Sequence, residues 1–181
     1  MSDLASCYSF KKRKDSSSQD EDYVFKAASG AEYLLKLKTL SSTKEWDDVL
    51  TGCPLLQNGK YLYLILQKQG DDNALDVRIG ATMAAIIAEH LKEFPDSIYI
   101  YDPETSDGKE LKRKGKFQRW FDKYGVSAGL VKHEISIIEE GSKGTVVSFF
   151  AVLCRGNHPA GEEITKEITQ FYNNIMYGTD D

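Results

Sequence analysis

Apolar residues recur along this chain at two spacings, and each spacing predicts an element. Tyr23 and Phe25 alternate with polar neighbours, Ser29-Gly30 offers a turn, and Tyr33, Leu35 and Leu37 alternate on the return. This pattern predicts a β-hairpin, with Gly30 tolerating positive φ at the bend. A short strand is expected before it at Tyr8-Ser-Phe10. "KYLYLILQK", after the turn at Asn58-Gly59, is a strand buried on both faces. Ile79, Met83, Ile86, Ile87, Leu91 and Phe94 then follow the 3.6-residue period. They predict the longest helix, with caps offered by Asp71-Asp72-Asn73 and a stop at Pro95. "SIYIYD", Ser97 to Asp102, is the next strand. A further helix is expected from Lys109 to Tyr124, closed by Gly125 at C′. In the second hairpin Ile135 and Ile137 alternate inward, Gly141 and Gly144 make the bend, and "TVVSFFAVL" is a central strand. The last helix is capped by Asn157 or His158, with Pro159 near its first position. Ile164, Ile168, Phe171 and Ile175 form its buried stripe. "STKEWDDVL" is expected to be a short helix capped by Ser42 or Thr43. Residues 11–22 hold no apolar side chain and are expected to form a solvated loop, and residues 177–181 to fray.

This order of elements predicts a single α+β domain over residues 1–181. Its sheet is mixed, of about seven strands, with helices on both faces. The unit from Tyr61 to Asp102 is expected to be a parallel strand–helix–strand crossover.

Composition narrows the function classes. The chain has 181 residues and a net charge of −5, so it lacks the global basic footprint of a nucleic-acid binder. No apolar run approaches the ~20 residues of a membrane span, and no leader pattern opens the chain, so a cytoplasmic protein is expected. The three cysteines, Cys7, Cys53 and Cys154, are widely spaced, as are His90, His133 and His158. Neither set predicts a disulfide framework or a metal site. Cys154 reads as a small buried hydrophobe. Asp71, Asp72 and Asp76 read as charges that complement a helix dipole rather than as cation ligands.

The densest chemistry lies in "SDGKELKRKGKFQRWF". Between Lys109 and Lys123 there are seven basic residues (Lys109, Lys112, Arg113, Lys114, Lys116, Arg119, Lys123) against two acidic ones, Glu110 and Asp122. The net is +5 on a chain whose total is −5. Phe117, Trp120, Phe121 and Tyr124 fall at i, i+3, i+4 and i+7, the pattern of a face packed inward. The cations then form either a solvated face or an anion site. In the second case Gly108 and the free amides at the helix start, with Lys109, Lys112 and Arg113, would hold phosphate or carboxylate. Nucleic acid fits this helix less well, because its aromatics are needed inside rather than for base stacking.

Two resemblances attach to these residues. Tyr8-Ser-Phe10, Tyr23-Val-Phe25, Asp107-Gly108 and the run from Arg113 to Phe117-Gln118-Arg119-Trp120-Phe121 resemble the pattern of a Bacteroidetes family of unknown function, which implies no activity. The element order resembles the Gcn5-related N-acetyltransferases. There, a loop entering the long helix holds the pyrophosphate of acetyl-CoA. "VRIGATMAAII" lies at that place, so the resemblance implies cofactor contacts at Arg78, Gly80, Ala81 and Thr82. The chain departs from the motif. Val77 stands where Gln or Arg is usual, Arg78 is one position off, and Phe121 aligns with the usual tyrosine acid and cannot donate a proton. Packing of the helix against the sheet is the alternative role of Gly80.

No nucleophile elbow, Walker A pattern or zinc-protease motif is present. Three roles therefore stay open. The first is a non-catalytic binding or regulatory protein with a protein or nucleotide partner and no cofactor. The second is an acyltransferase using acetyl-CoA or CoA, and the third is a phosphate or nucleic-acid binder using the 109–123 helix.

Overall fold

The fold is that of a computed structural model, which describes residues 7–14, 20–40, 51–54, 61–69, 76–102, 110–141, 144–158 and 160–177. Tyr23 and Phe25 point inward along β2 (Glu21–Lys26), as do Tyr33, Leu35 and Leu37 along β3 (Glu32–Thr39). Strict alternation fixes the register, because a slip of one residue would turn every apolar side chain to water. Gly30 closes this hairpin at φ +91°, a conformation that suits glycine.

Residues 11–14 and 21–22 depart from the expected loop, and residues 15–19 of it lie outside the described residues. Lys11–Lys14 belong to β1 (Phe10–Lys14), paired antiparallel to β2, and Glu21 and Asp22 open β2. An edge strand needs a backbone partner, not an apolar face, and charge on an edge guards against unwanted pairing. Here Lys12 lies over the Tyr23 ring and pairs with Glu21 at 2.5 Å.

β4 (Tyr61–Gln69) lies antiparallel to β3. Its leucines, Leu62, Leu64 and Leu66, face one core, while Tyr61 faces the other. The chain then enters α1 (Val77–Glu93) and returns in β5 (Ile98–Tyr101), parallel to β4 as expected. The α1 cap is Asp76 rather than Asp71–Asn73, which lie outside the described residues. The Asp76 carboxylate accepts the Arg78 amide at 3.0 Å. Pro95 follows the last turn.

α2 (Glu110–Trp120) does not end at Gly125. It runs into a π-helical turn, Phe121–Gly125, and a 3-10 turn, Val126–Ala128. Gly125 keeps a right-handed helical backbone, and Gly129 at φ +76° is the left-handed terminator. β6 (Leu130–Gly141) and β7 (Gly144–Arg155) form the long second hairpin, and α3 (Gly161–Tyr177) closes the described chain. The His158 ring accepts the Ala160 amide at 3.2 Å, satisfying one amide before α3. The expected helix over 42–50 and the inward faces of Ile135, Ile137, Phe171 and Ile175 lie outside the described residues.

The sheet order is β1-β2-β3-β4-β5-β7-β6. The described residues form a single α+β domain with a mixed seven-stranded sheet. α1 and α2 cover one face, over Tyr23, Leu35, Leu64 and Tyr99. α3 covers the other through Ile164 and Ile168 against Ile100, Val152 and Cys154. The parallel pair is short: β4 meets β5 only from Tyr61 to Tyr63. Beyond Tyr63, β4 continues beside β3 to Gln69, while β5 stops at Tyr101. Among the described residues the sheet therefore parts at the C-terminal ends of its two parallel strands. No helix among the described residues is long and apolar enough to cross a membrane.

Candidate functional site

Three groups of side chains carry polar chemistry. The first is the opening turn of α1. Asp76 caps it, the Tyr8 hydroxyl donates to the other oxygen of the same carboxylate, and Arg78 lies 4.4 Å over the Tyr8 ring. The Tyr8 amide donates to the Thr82 hydroxyl at 2.9 Å, which in turn donates to the Arg78 carbonyl at 2.7 Å. Tyr8 also accepts the Ala28 amide at 2.9 Å. The segment before β1 is thus tied across the start of α1. Burial raises the Tyr8 hydroxyl pKa, and the hydrogen bond to Asp76 adds to the shift.

Arg78, Gly80, Ala81 and Thr82 all lie on this turn, but their surroundings differ. Ala81 and Thr82 are fully buried, and the Thr82 hydroxyl is engaged on both sides. Gly80 is covered by Trp120, whose indole N–H donates to the Gly80 carbonyl. A Cβ on Gly80 would overlap Trp120 Cδ1. Its close neighbour is thus a side chain of α2, not the sheet.

The second group is α2 with the π-helical turn that continues it. Phe117, Trp120, Phe121 and Tyr124 are all buried. The inward-leaning cations are engaged as well. Lys114 pairs with Glu134 and lies 4.7 Å over Phe149, and Lys132 of β6 bonds Glu134 at 2.9 Å and Gln118. Burial pushes the Glu134 pKa up, but hydrogen bonds from Lys114 and Lys132 outweigh it and hold it below its ordinary value. Arg113 lies near Tyr101 and lowers that hydroxyl pKa, against the burial that pushes it up to about 12.

Lys112, Lys116, Arg119 and Lys123 point outward. They follow one another at intervals of four, three and four residues, so they line one face of the helix. Adjacent like charges at these spacings cost about 0.2–0.5 kcal/mol per pair. Gly108 and Lys109 lie outside the described residues. Lys112 stands eight residues from Trp120, about 12 Å along the axis. The helix therefore meets the Gly80 turn with its aromatic end, and Lys112 and Arg113 lie toward the other end.

The third group is buried and joins four segments. His90, in the last turn of α1, shares a 2.7 Å hydrogen bond between Nδ1 and the Tyr99 hydroxyl of β5. Its Nε2 is 3.8 Å from Glu21 of β2. Glu21 accepts the Tyr23 hydroxyl at 2.6 Å and pairs with Lys12, which also reaches Glu93 at 3.5 Å. Burial lowers the His90 pKa, with the Glu21 charge acting against it. At Glu21, burial acts upward, but the Lys12 and Tyr23 hydrogen bonds and the Lys12 charge hold the carboxyl below its usual range. Burial drives the Tyr23 and Tyr99 hydroxyls far above theirs. With His90 and Tyr99 both enclosed, the network holds structure together, and its Lys12–Glu93 end reaches the surface. Sequence reasoning left His90 as one of three scattered histidines. Its place on the inward stripe beside Ile86, Ile87 and Leu91 was the available signal.

Among the described residues no group of three or more His, Cys, Asp or Glu side chains is placed to hold a metal ion. The comparisons place the chain in a family. Residues 75–170, more than half of its length, match a family of unknown function, DUF6169. The chain belongs to that family. No curated protein matches it.

Proposed function

We propose that this protein is a non-catalytic binding or regulatory protein built on an acetyltransferase-like fold. The fold reading is supported by the order β1-β2-β3-β4-β5-β7-β6, with β4 and β5 its parallel pair. One observation carries the functional reading. The Asp76 carboxylate, itself bonded by Tyr8, takes the Arg78 amide at the turn where an acyl-CoA pyrophosphate would need those donors. A phosphate arriving there meets the Asp76 carboxylate, already paired with the Arg78 guanidinium at 3.5 Å, in place of a helix terminus free to bind anions. Phe121 supports the same reading, because it is buried and has no proton to donate.

A second reading, an acyltransferase using acetyl-CoA or CoA, is favoured by the parting of β4 and β5 beyond Tyr63. An extended ligand arm could lie along the β4 edge there. Tyr101, at the end of β5, would supply a hydroxyl that keeps its proton, since burial pushes its pKa up to about 12.

Thermal unfolding with acetyl-CoA, CoA and ATP decides between them. A ligand at 100 times its dissociation constant adds about 2.7 kcal/mol of stability. The expected outcome is no shift with any of the three. An upward shift with the CoA compounds alone overturns the non-catalytic reading in favour of the second.

A further inference from the structure

We infer that the outward face of α2 docks an acidic helical segment of a partner protein. This deepens the binding reading and rests on it. Lys114 and Lys132 neutralise Glu134, the Arg113 charge acts on the Tyr101 hydroxyl, and Lys12 answers Glu21. Lys112, Lys116 and Arg119 are outside these pairings, and Lys123 rests only on the ring of Tyr124 at 5.1 Å. Four exposed cations therefore stand on one face with no carboxylate of the described residues against them. Folding does not need this arrangement, since neighbouring like charges on a helix oppose it. A local choice that works against stability marks a surface kept for another purpose.

The stripe also limits its occupant. From Lys112 to Arg119 it extends over about 10 Å of α2, two helical turns, with Lys123 further on in the π-helical turn. Removing these four charges from a chain of net −5 leaves −9 elsewhere. A long polyanion such as a nucleic acid would run off the stripe onto a surface of its own sign. The helix aromatics are buried, so no ring on this face can stack on a base. A short helix with carboxylates at i, i+4 and i+7 has the pitch of the α-helical part of the stripe, Lys112, Lys116 and Arg119, and a fourth at i+11 faces Lys123 on the π-helical turn. Electrostatic complementarity of this kind sets partner choice and approach rate.

The test follows backbone amide resonances of the full chain on titration with three probes. One is a helical peptide of about four turns with Glu at those positions. The second is the same peptide with Gln for Glu, and the third is a short DNA duplex. The Glu peptide alone should shift the α2 amides, and raising salt from about 50 to 200 mM should weaken the effect. Lys116→Glu should weaken binding roughly fivefold or more. It should also leave the unfolding temperature unchanged or higher, because it places a carboxylate between Lys112 and Arg119. A merely structural lysine would not separate those two readouts. Lys116→Gln should weaken binding less. The inference is overturned by preferential binding of the duplex, by equal binding of the Glu and Gln peptides, or by α2 amides that respond to no probe. These outcomes are independent of the CoA titration, so failure here leaves the non-catalytic reading standing.

Discussion

At the residue scale, His90 shows how a buried titratable group ties stability to pH. Its ring is enclosed between Tyr99, Phe94 and Glu21, with Lys12 and Glu93 near enough to act on its charge. Burial lowers its folded pKa below the ordinary 6.5, so the unfolded chain binds this proton more readily. Stability therefore rises with pH across the window between the two values and is lost as pH falls below about 6.5. Glu21 adds a separate window. Its folded pKa lies below 4.5, so its contribution is lost only in more acidic solution. Urea unfolding from pH 7.5 to 5 should show the wild-type midpoint falling while His90→Gln stays flatter. Parallel pH profiles would mean that His90 is not held neutral. The sequence did not disclose this network, because Lys12, Glu21, His90 and Tyr99 lie on four elements that meet only when α1 crosses the sheet. Lys12 and Glu21 also sat in a stretch whose lack of apolar residues pointed to a loop. Periodicity detects burial, and a charged edge strand held by its backbone leaves no such trace.

At the element scale, the contact between α1 and α2 rests on Gly80. The sequence raised a phosphate turn and packing of the helix against the sheet as alternatives for this glycine, and the neighbour is instead a side chain of α2. The structure puts Trp120 against it, with the indole N–H on the Gly80 carbonyl. Gly80→Ala drives a methyl group into the indole and should destabilise by about 1–3 kcal/mol, the usual cost of overpacking. Denaturant unfolding would check this, with Trp120→Ala as the second arm of a double-mutant cycle. Once the indole is gone, the added methyl group should cost much less, because the two residues are coupled through direct contact. Equal cost in both backgrounds would assign Gly80 a role unrelated to this packing. The aromatic stripe of α2 was legible, since Phe117, Trp120, Phe121 and Tyr124 share the helical spacing. The end of the helix was not. Gly125 and Gly129 are both plausible stops, and only the π-helical turn, which carries the chain on to Val126, decides for Gly129.

At the scale of the whole molecule, the two cores are two faces of one sheet. Leu64 and Tyr99 belong to the α1–α2 side, whereas Tyr61, Ile98 and Ile100 on the same two strands belong to the α3 side. In β7, Ala151 and Leu153 face one way and Val152 and Cys154 the other. Neither face can lose its order without releasing the strands that build the other. Unfolding should therefore be a single cooperative transition, as for most single domains of ordinary size. Each face has its own reporter. In a Trp46→Phe background Trp120 reports the α1–α2 side by fluorescence. With Cys7→Ser, the buried thiols of Cys53 and Cys154 report the α3 side by their reaction with a thiol reagent. Burial holds the Cys53 thiol pKa up to about 12 and raises that of Cys154, so both should stay inert until the fold opens. The two urea midpoints should coincide. Thiols that react before Trp120 changes would show that α3 leaves the sheet first and that the faces are energetically separate. Coincident midpoints would mean that the two faces hold and lose their order as one unit.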